Sequence, residues 1–419
     1  MRISTSEFLL GSVNNLLTQQ ANVNQLNREI ATGETMLSAA SDPGGAAQVV
    51  DLANQVGTLS YDQANGQYAT EAMQSGVSTL NQVTTLLVQL RQTTEAAANG
   101  TVTQSGRQAD ISNAQTLLQQ LVQLANTQGT NGGYLFSGSK TNMPAFVTLP
   151  SGQVVFNGDA STNNVEIAPS LSVASSISGQ NIFMNVPAGT GGVAVSAGAS
   201  NTGTAFALTD GITSLSQVTT AAFAGTQYDI SFKAAGSALT YQVTSGHGLP
   251  GSAGYTATSG IVTSGSYVAG SNIIFGGIEV QVSGTPAAGD SFTVQPGATT
   301  SLFQTVQNLI SALGLPQDNA AQTALAQQAL QNVLANIDNA QTSVLSAQAT
   351  LGTGLSEVQS VQTQTGAERD SASTAMSNLQ SASLPQVLAN YSEGVTALQA
   401  AQLAFAKVQN LTLFQYLHA

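Results

Sequence analysis

Two stretches near opposite ends of the chain carry the same apolar rhythm, and that rhythm limits what the rest can be. From Ser4 to Ile30, Leu9, Val13, Leu16, Gln20, Val23, Asn27 and Ile30 follow one another at 4-3-4-3-4-3 spacing. From Leu384 to Phe414, Leu384, Leu388, Tyr391, Val395 and Leu398 fall at 4-3-4-3, pass through polar Gln402 to Phe405, and continue with Val408 and Leu411. Apolar residues every 3.5 positions keep one edge of a helix turned towards a partner. Each end thus needs something to bury its seam, and the two ends most simply bury each other.

The segments between them set the architecture. The first helix should stop near Gly33, and a second should begin at Asp42-Pro43, with Asp as cap and Pro in the first turn. Val49, Leu52, Val56 and Leu59, then Leu80, Val83, Leu87 and Leu90, predict one long helix to Ala98, with Gly57, Gly66 and Gly76 as points of weakness. Ser105 to Asn126 repeats the amphipathic pattern. Past Tyr134 the composition changes. Residues 140–300 hold more than half of the 41 Gly, and short alternating runs such as Tyr228–Phe232 and Leu239–Val243 read as strands. In FGGIEVQVSGTPAAGDSFTV, the Ser283–Asp290 loop is expected to close a hairpin. Helical periodicity returns after Thr300, breaks at Gly314-Leu315-Pro316, and resumes at Asn319.

The fold class expected is α+β and multidomain. Residues 1–42 and 380–419 form a terminal helical coiled coil, 43–139 and 301–379 a long-helix bundle, and 140–300 an inserted all-β domain. In the isolated chain, residues 1–40 and 385–419 are expected to lack order, because their seams wait for partners.

Composition narrows the function. Only 7% of the 419 residues are charged and the net charge is −13, which argues against nucleic acid, since few Lys and Arg could neutralise phosphates. No apolar run approaches the roughly 18 residues of a membrane span, so no membrane partner is expected. Cysteine is absent, removing disulfides, thiolate metal sites and a thiol nucleophile. Of the two histidines, His247 sits in SGHGLP, a turn-like surface setting. Gly189–Gly192 (GTGG) lacks the strand–loop–helix context and the Lys-Ser/Thr of a phosphate loop. Asp42, Asp51 and Asp62 read as caps or solvated acids, and Glu368-Arg369-Asp370 as an exposed charged cluster. No enzyme, cofactor or metal is expected. The start, MRISTSEFLLGSVNN, has no apolar core of a cleavable signal, so the chain is expected either to stay in the cytosol or to leave the cell without signal cleavage.

Three segments resemble the flagellin-like family. IATGETMLSAASDPGGAA resembles its junction between first and second helices, GGYLFSGSKTNMPAF (Gly132 to Phe146) its exit from the helical region, and LQAAQLAFAKVQNLTLFQYL (Leu398 to Leu417) its C-terminal helix. The last is closer to the hook-associated protein 3 subfamily than to flagellin. Glu34 and the single acid Asp42 depart from the family pattern without disturbing the heptads.

The resemblance implies an extracellular place in the bacterial flagellum, at the hook–filament junction, reached by type III export without a cleaved signal. It implies a homo-oligomeric ring between hook-associated protein 1 and flagellin, and a cytosolic export chaperone on the C-terminal helix. The interface residues expected are Leu9, Val13, Leu16, Val23, Ile30, Leu388, Tyr391, Val395, Leu398, Phe405, Val408, Leu411, Phe414 and Leu417. A flagellin of the filament itself, or a secreted adhesin or effector acting through the β insert, are the alternatives.

Overall fold

In the computed structural model the described residues are 5–35, 42–100, 102–236, 238–247 and 256–416. Three helices come first: α1 (Thr5–Thr32), α2 (Pro43–Ala98) and α3 (Gln104–Ala125). The β segment opens with β1 (Phe146–Thr148), β2 (Val154–Phe156), β3 (Asn164–Ala168) and β4 (Leu171–Ala174). A π turn at Gln180–Met184 leads to β5 (Val186–Pro187), β6 (Val193–Ala197), β7 (Phe206–Ile212) and a short helix, α4 (Leu215–Phe223). Then come β8 (Thr226–Ala235), β9 (Ala238–His247), β10 (Thr256–Ser266), β11 (Asn272–Phe275), β12 (Ile278–Ser283), β13 (Ser291–Pro296) and β14 (Thr299–Thr300). The chain returns to helix with α5 (Leu302–Leu313), α6 (Ala320–Gln380) and α7 (Leu384–Tyr416). It is a mixed helical and sheet fold with the sheets in mid-chain. Of the ends expected to lack order, Thr5–Thr32 and Leu384–Tyr416 are helical, and residues 1–4, 36–40 and 417–419 lie outside the described residues.

The helix boundaries follow local chemistry. Gly33 takes φ +74° just past α1, the left-handed conformation in which glycine carries no Cβ penalty. The Asp42 carboxylate accepts the Gly45 N–H at 2.9 Å and starts α2. Thr103 and Ser301 cap α3 and α5 through their hydroxyls. α2 runs unbroken through Gly57, Gly66 and Gly76. The glycines lower its propensity, but packing of Leu80, Val83, Leu87 and Leu90, all essentially buried, outweighs them.

Contacts divide the chain into two compact units, Met1–Ala64 with Val361–Ala419, and Asn65–Ser360. In the second unit, Phe136 and Phe146, from the Gly132–Phe146 exit segment, are fully buried with Phe183 and Phe303. Their ring centroids lie 5.0–5.3 Å apart for the pairs Phe136–Phe183, Phe146–Phe183 and Phe146–Phe303. Asp159 anchors the same segment: its carboxylate accepts the backbone N–H and the hydroxyl of Ser139 and the N–H of Ser161. These hydrogen bonds, the Ser139 hydroxyl first, hold the Asp159 carboxyl below its ordinary range. A depressed native pKa means a contribution present above the unfolded value of about 4 and lost as pH falls through the lowered one. Asp159→Asn should therefore lower the melting temperature at neutral pH, and the difference from wild type should shrink to nothing in strong acid.

The larger sandwich has a five-stranded sheet, β10-β9-β8-β13-β6, and a three-stranded sheet, β11-β12-β7, all pairs antiparallel. Ile230, Phe232, Val243, Phe275, Ile278, Val280, Phe292 and Val294 fill the space between them, with Val218 and Ala221 of α4 alongside. Here one sequence expectation is corrected. β12 and β13 do not form a hairpin; β12 pairs with β11 and β7, β13 with β8 and β6. The Ser283–Asp290 loop crosses between sheets, and buried Asp290 holds it by accepting the N–H groups of Thr202, Gly203 and Ala287.

The true hairpin joins β11 to β12 through Gly276 (φ +55°) and Gly277 (φ +79°), with Phe275 opposite Ile278. Two consecutive positive φ values make the mirror-image two-residue turn that matches strand twist. A Cβ at Gly276 would also lie 2.3 Å from Tyr228 Oη. Gly276→Ala should lower stability by about 1–3 kcal/mol, read as a lower urea midpoint with an unchanged slope.

Strands β6 and β7 meet α6 through a ladder of amide side chains. Gln328 Oε1 accepts the Ala207 N–H at 2.6 Å, and Asn332 donates to the Val195 carbonyl at 2.7 Å. Asn336 accepts the Gly189 N–H at 2.8 Å, and Asn339 donates to the carbonyls of Pro187 and Gly189. Spaced 4-4-3 along one face of a helix, Gln328 and Asn332 partner backbone groups of the edge strands β7 and β6, and Asn336 and Asn339 hold Pro187 and Gly189 at the end of β5.

Candidate assembly interface

In the first unit α1 and α7 run antiparallel, and main-chain hydrogen bonds clasp them where α1 ends and α7 begins. The Thr35 N–H donates to the Gln380 carbonyl at 2.6 Å, the Ala382 N–H donates to the Gly33 carbonyl at 2.9 Å, and Glu34 bridges Ser381. Further along, a Cβ on Gly394 would lie 3.2 Å from Val23 Cγ2 and 3.8 Å from Leu26 Cδ1. The two helices thus approach closely at a position without a side chain. Glu29 is buried on α1 and accepts from Gln25 Nε2 at 3.0 Å.

Of the interface residues expected, Leu16, Val23, Ile30, Tyr391, Val395, Leu398 and Phe405 are half-buried, and Val13 and Leu388 are exposed. Leu9, Val408, Leu411 and Phe414 lie on the helices with side chains outside the described set, and Leu417 lies outside the described residues. The pattern along α7 is offset at its start: Val387 is buried while Leu384 and Leu388 are exposed. Alternation between near-equivalent neighbours, Val387 and Leu388, is what a heptad count alone does not resolve.

The pairing leaves apolar surface uncovered. Leu10 and Leu17 on α1, Leu403 on α7, and Val50 and Tyr61 on α2 are exposed, Tyr61 to 76%. Leu10 and Leu17 are one heptad apart and each follows the seam by one position, a signal that a second register search would have found. Each helix therefore carries apolar side chains in addition to those meeting its partner. Such surface marks an interaction site.

The acids read as solvated divide. Asp42 caps α2, as expected, but Asp62 is buried. Arg369 of the charged cluster pairs with Asp370 and donates to Gln63 Oε1, tying α6 to α2 within this unit. In the other unit, a cleft of about 270 Å³ between the sandwich and the helices is lined by Arg91, Thr190, Thr209, Asn332 and Asp338. Its guanidinium is engaged by Asp338 and Glu95. Among the described residues, no group of three His, Cys, Asp or Glu is arranged to hold a metal ion, and no helix is long and apolar enough to cross a membrane.

Residues 3–141 match the family model for the bacterial flagellin N-terminal helical region. Among solved structures, flagellar hook-associated protein 3 of Legionella pneumophila is 32% identical with a TM-score of 0.70, over 78% of this chain and 98% of that one. The chain belongs to the flagellar hook-associated protein 3 family. FlgL of Xanthomonas campestris, at 26% identity and a TM-score of 0.67, covers 77% of this chain and 98% of its own. The curated hook-associated protein 3 of Escherichia coli K12 is 28% identical over 186 residues, 44% of this chain and 58% of that protein. That of Salmonella typhimurium LT2 is 30% identical over 146 residues, 35% of this chain and 46% of that protein. The alignments thus span about half the length of these two relatives. Membership agrees with the resemblance read from the Ser-Asp-Pro junction, the Gly132–Phe146 segment and the C-terminal helix.

Proposed function

We propose that this chain is a structural axial protein of the bacterial flagellum, forming a homo-oligomeric ring between hook-associated protein 1 and the flagellin filament. The observation that carries the reading is the pair α1–α7, held to each other and still exposing Leu10, Leu17, Leu388 and Leu403. Neighbouring subunits would bury those side chains, with the terminal pair as a coiled coil completed by assembly. The three-part division at 1–42/380–419, 43–139/301–379 and 140–300 belongs to the same proposal: a terminal coiled-coil domain, a helical bundle and an inserted β-rich domain. Membership of a family whose Legionella representative is described as a flagellar junction protein supports it.

The route to the junction is part of the proposal too. The chain would leave the cell through the flagellar export apparatus without signal cleavage, its C-terminal helix covered by a cytosolic chaperone beforehand. A deletion strain tests the role. It should carry hooks without filaments and release unpolymerised flagellin into the medium, and complementation should restore filaments. Normal filaments on the deletion strain would sink the reading. Purified protein given nucleating fragments should not grow into long filaments; sustained growth would make it a filament subunit instead.

A further inference from the structure

An asparagine followed by glycine is open to self-modification, because the glycine N–H can attack the side-chain amide with no Cβ in the way. The chain holds four such pairs: Asn65-Gly66, Asn99-Gly100, Asn131-Gly132 and Asn157-Gly158. The attack needs the nitrogen and the amide carbon brought to about 3–3.5 Å and aligned, so the fold decides which pair can react. Three pairs are held away from it. Asn65 lies inside α2, where the Gly66 N–H points to the carbonyl one turn back, and its own amide donates to the Glu166 carbonyl at 2.9 Å. The Asn131 amide is held at both ends: its oxygen accepts the Gly133 N–H at 3.0 Å, and its nitrogen donates to Tyr68 Oη at 2.6 Å. Around Asn157-Gly158 the main chain is pinned on both sides. The Asn157 N–H donates to the Ala145 carbonyl at 2.8 Å and the Asp159 N–H to the Ser137 carbonyl at 3.1 Å. A Cβ on Gly158 would lie 2.5 Å from Phe156 Cζ and 2.6 Å from the Ser137 oxygen, so this glycine has no room to swing.

Asn99-Gly100 differs on every count. It follows the last turn of α2, both residues are exposed, and a Cβ on Gly100 would meet nothing within 4 Å. Gly100 takes φ +67°, which glycine adopts without penalty. Among the described residues the Asn99 side chain makes no hydrogen bond. Its backbone N–H reaches the Ala96 carbonyl only at 3.3 Å, and helix ends fray. We infer that Asn99 is a self-modification site, which deamidates in the folded protein with water as the co-reactant. The Gly100 N–H gives its proton to hydroxide and the nitrogen attacks Asn99 Cγ. The bond from Cγ to the side-chain nitrogen breaks, and ammonia leaves carrying a proton from water. Water then opens the cyclic imide at either carbonyl, giving aspartate or isoaspartate with no change of oxidation state. The product puts a carboxylate at the C-terminal end of α2, where the open carbonyls already carry negative charge, one turn after Glu95. The reaction thus loads the α2–α3 connection irreversibly. It goes beyond the junction role and does not depend on it.

The full chain tests this directly. It is aged in mildly alkaline buffer, and conversion at each of the four asparagines is followed by peptide mapping against an unaged sample. Mass spectrometry reads the amide turned to a carboxyl, and isoaspartyl methyltransferase labels the isoaspartate. The result expected is conversion at Asn99 first, at least about tenfold faster than at Asn65, Asn131 or Asn157, since each of those must first break hydrogen bonds. A parallel sample unfolded in urea should bring the four rates to within a few-fold of one another, because every site then has only its glycine beside it. Asn99→Gln, at an exposed position, should remove most of the methyltransferase label from the aged folded protein. Equal rates at the four sites in the folded protein overturn the inference, as does a faster site other than Asn99. A lead for Asn99 that persists unchanged in urea overturns it too, since local sequence rather than the fold would then be selecting the site. Undiminished labelling of Asn99→Gln has the same force.

Discussion

Leu398→Asp or Phe405→Asp is expected to abolish filament growth on otherwise complete hooks. Both side chains are half-buried on α7, on the edge that its apolar spacing turns towards a partner. A carboxylate there must either be taken from water, at about 1–3 kcal/mol or more, or push the seam apart. In a ring the penalty recurs in every copy, so a modest cost per subunit becomes a failure of assembly. Gln402→Glu, at the exposed polar position between them, should be tolerated. Motility of complemented deletion strains and electron microscopy of their hooks provide the measurement. Unchanged motility for both Asp variants would remove α7 from the assembly interface. The melting temperature of Asn65–Ser360, a separate unit, should not move.

The second large effect is expected at the amide ladder. Gln328→Leu takes the acceptor from the Ala207 N–H and Asn336→Leu takes it from the Gly189 N–H. Both amides are buried, at 3% and 6% exposure, so water does not readily replace them. An unpartnered buried N–H costs about 1–3 kcal/mol. Each single variant should therefore speed hydrogen exchange at its freed amide by about 5–150-fold, with the double variant also lowering the urea midpoint of the insert. Wild-type protection at Ala207 and Gly189 in the double variant would show that α6 does not hold the strands.

What could be read from sequence divides by the kind of information each feature carries. Gly33 takes a left-handed φ that favours glycine and Asp42 caps α2 with its carboxylate, and the helix boundaries fall where those residues and the Gly314-Leu315-Pro316 break predict. Strand pairing was less legible. IEVQVS and SFTVQP each alternate cleanly, which fixes the buried face of a strand and says nothing about its neighbour. The Gly276-Gly277 turn lies at the start of FGGIEVQVSGTPAAGDSFTV, one connection before the Ser283–Asp290 loop at which the hairpin is expected. On α7 the heptad identified the helix and its general edge, but Val387 rather than Leu388 is buried at its first turns. The amides of α6 were the least visible. Gln and Asn at 328, 332, 336 and 339 read as a solvent face unless the strands they meet are known.

The clasp between Gly33–Thr35 and Gln380–Ala382 has a consequence for the order of events in folding. Its two halves are separated by most of the chain, so it cannot close while the residues from Gln380 to Ala382 are still unmade. α1, although made first, waits for a partner made last. The intervening unit, Asn65–Ser360, has its own core and can collapse in the meantime. Closing the terminal pair over an already folded middle shortens the effective loop that must be brought together. The seam therefore zips late, which keeps the two ends from committing to each other before the rest of the chain has arrived.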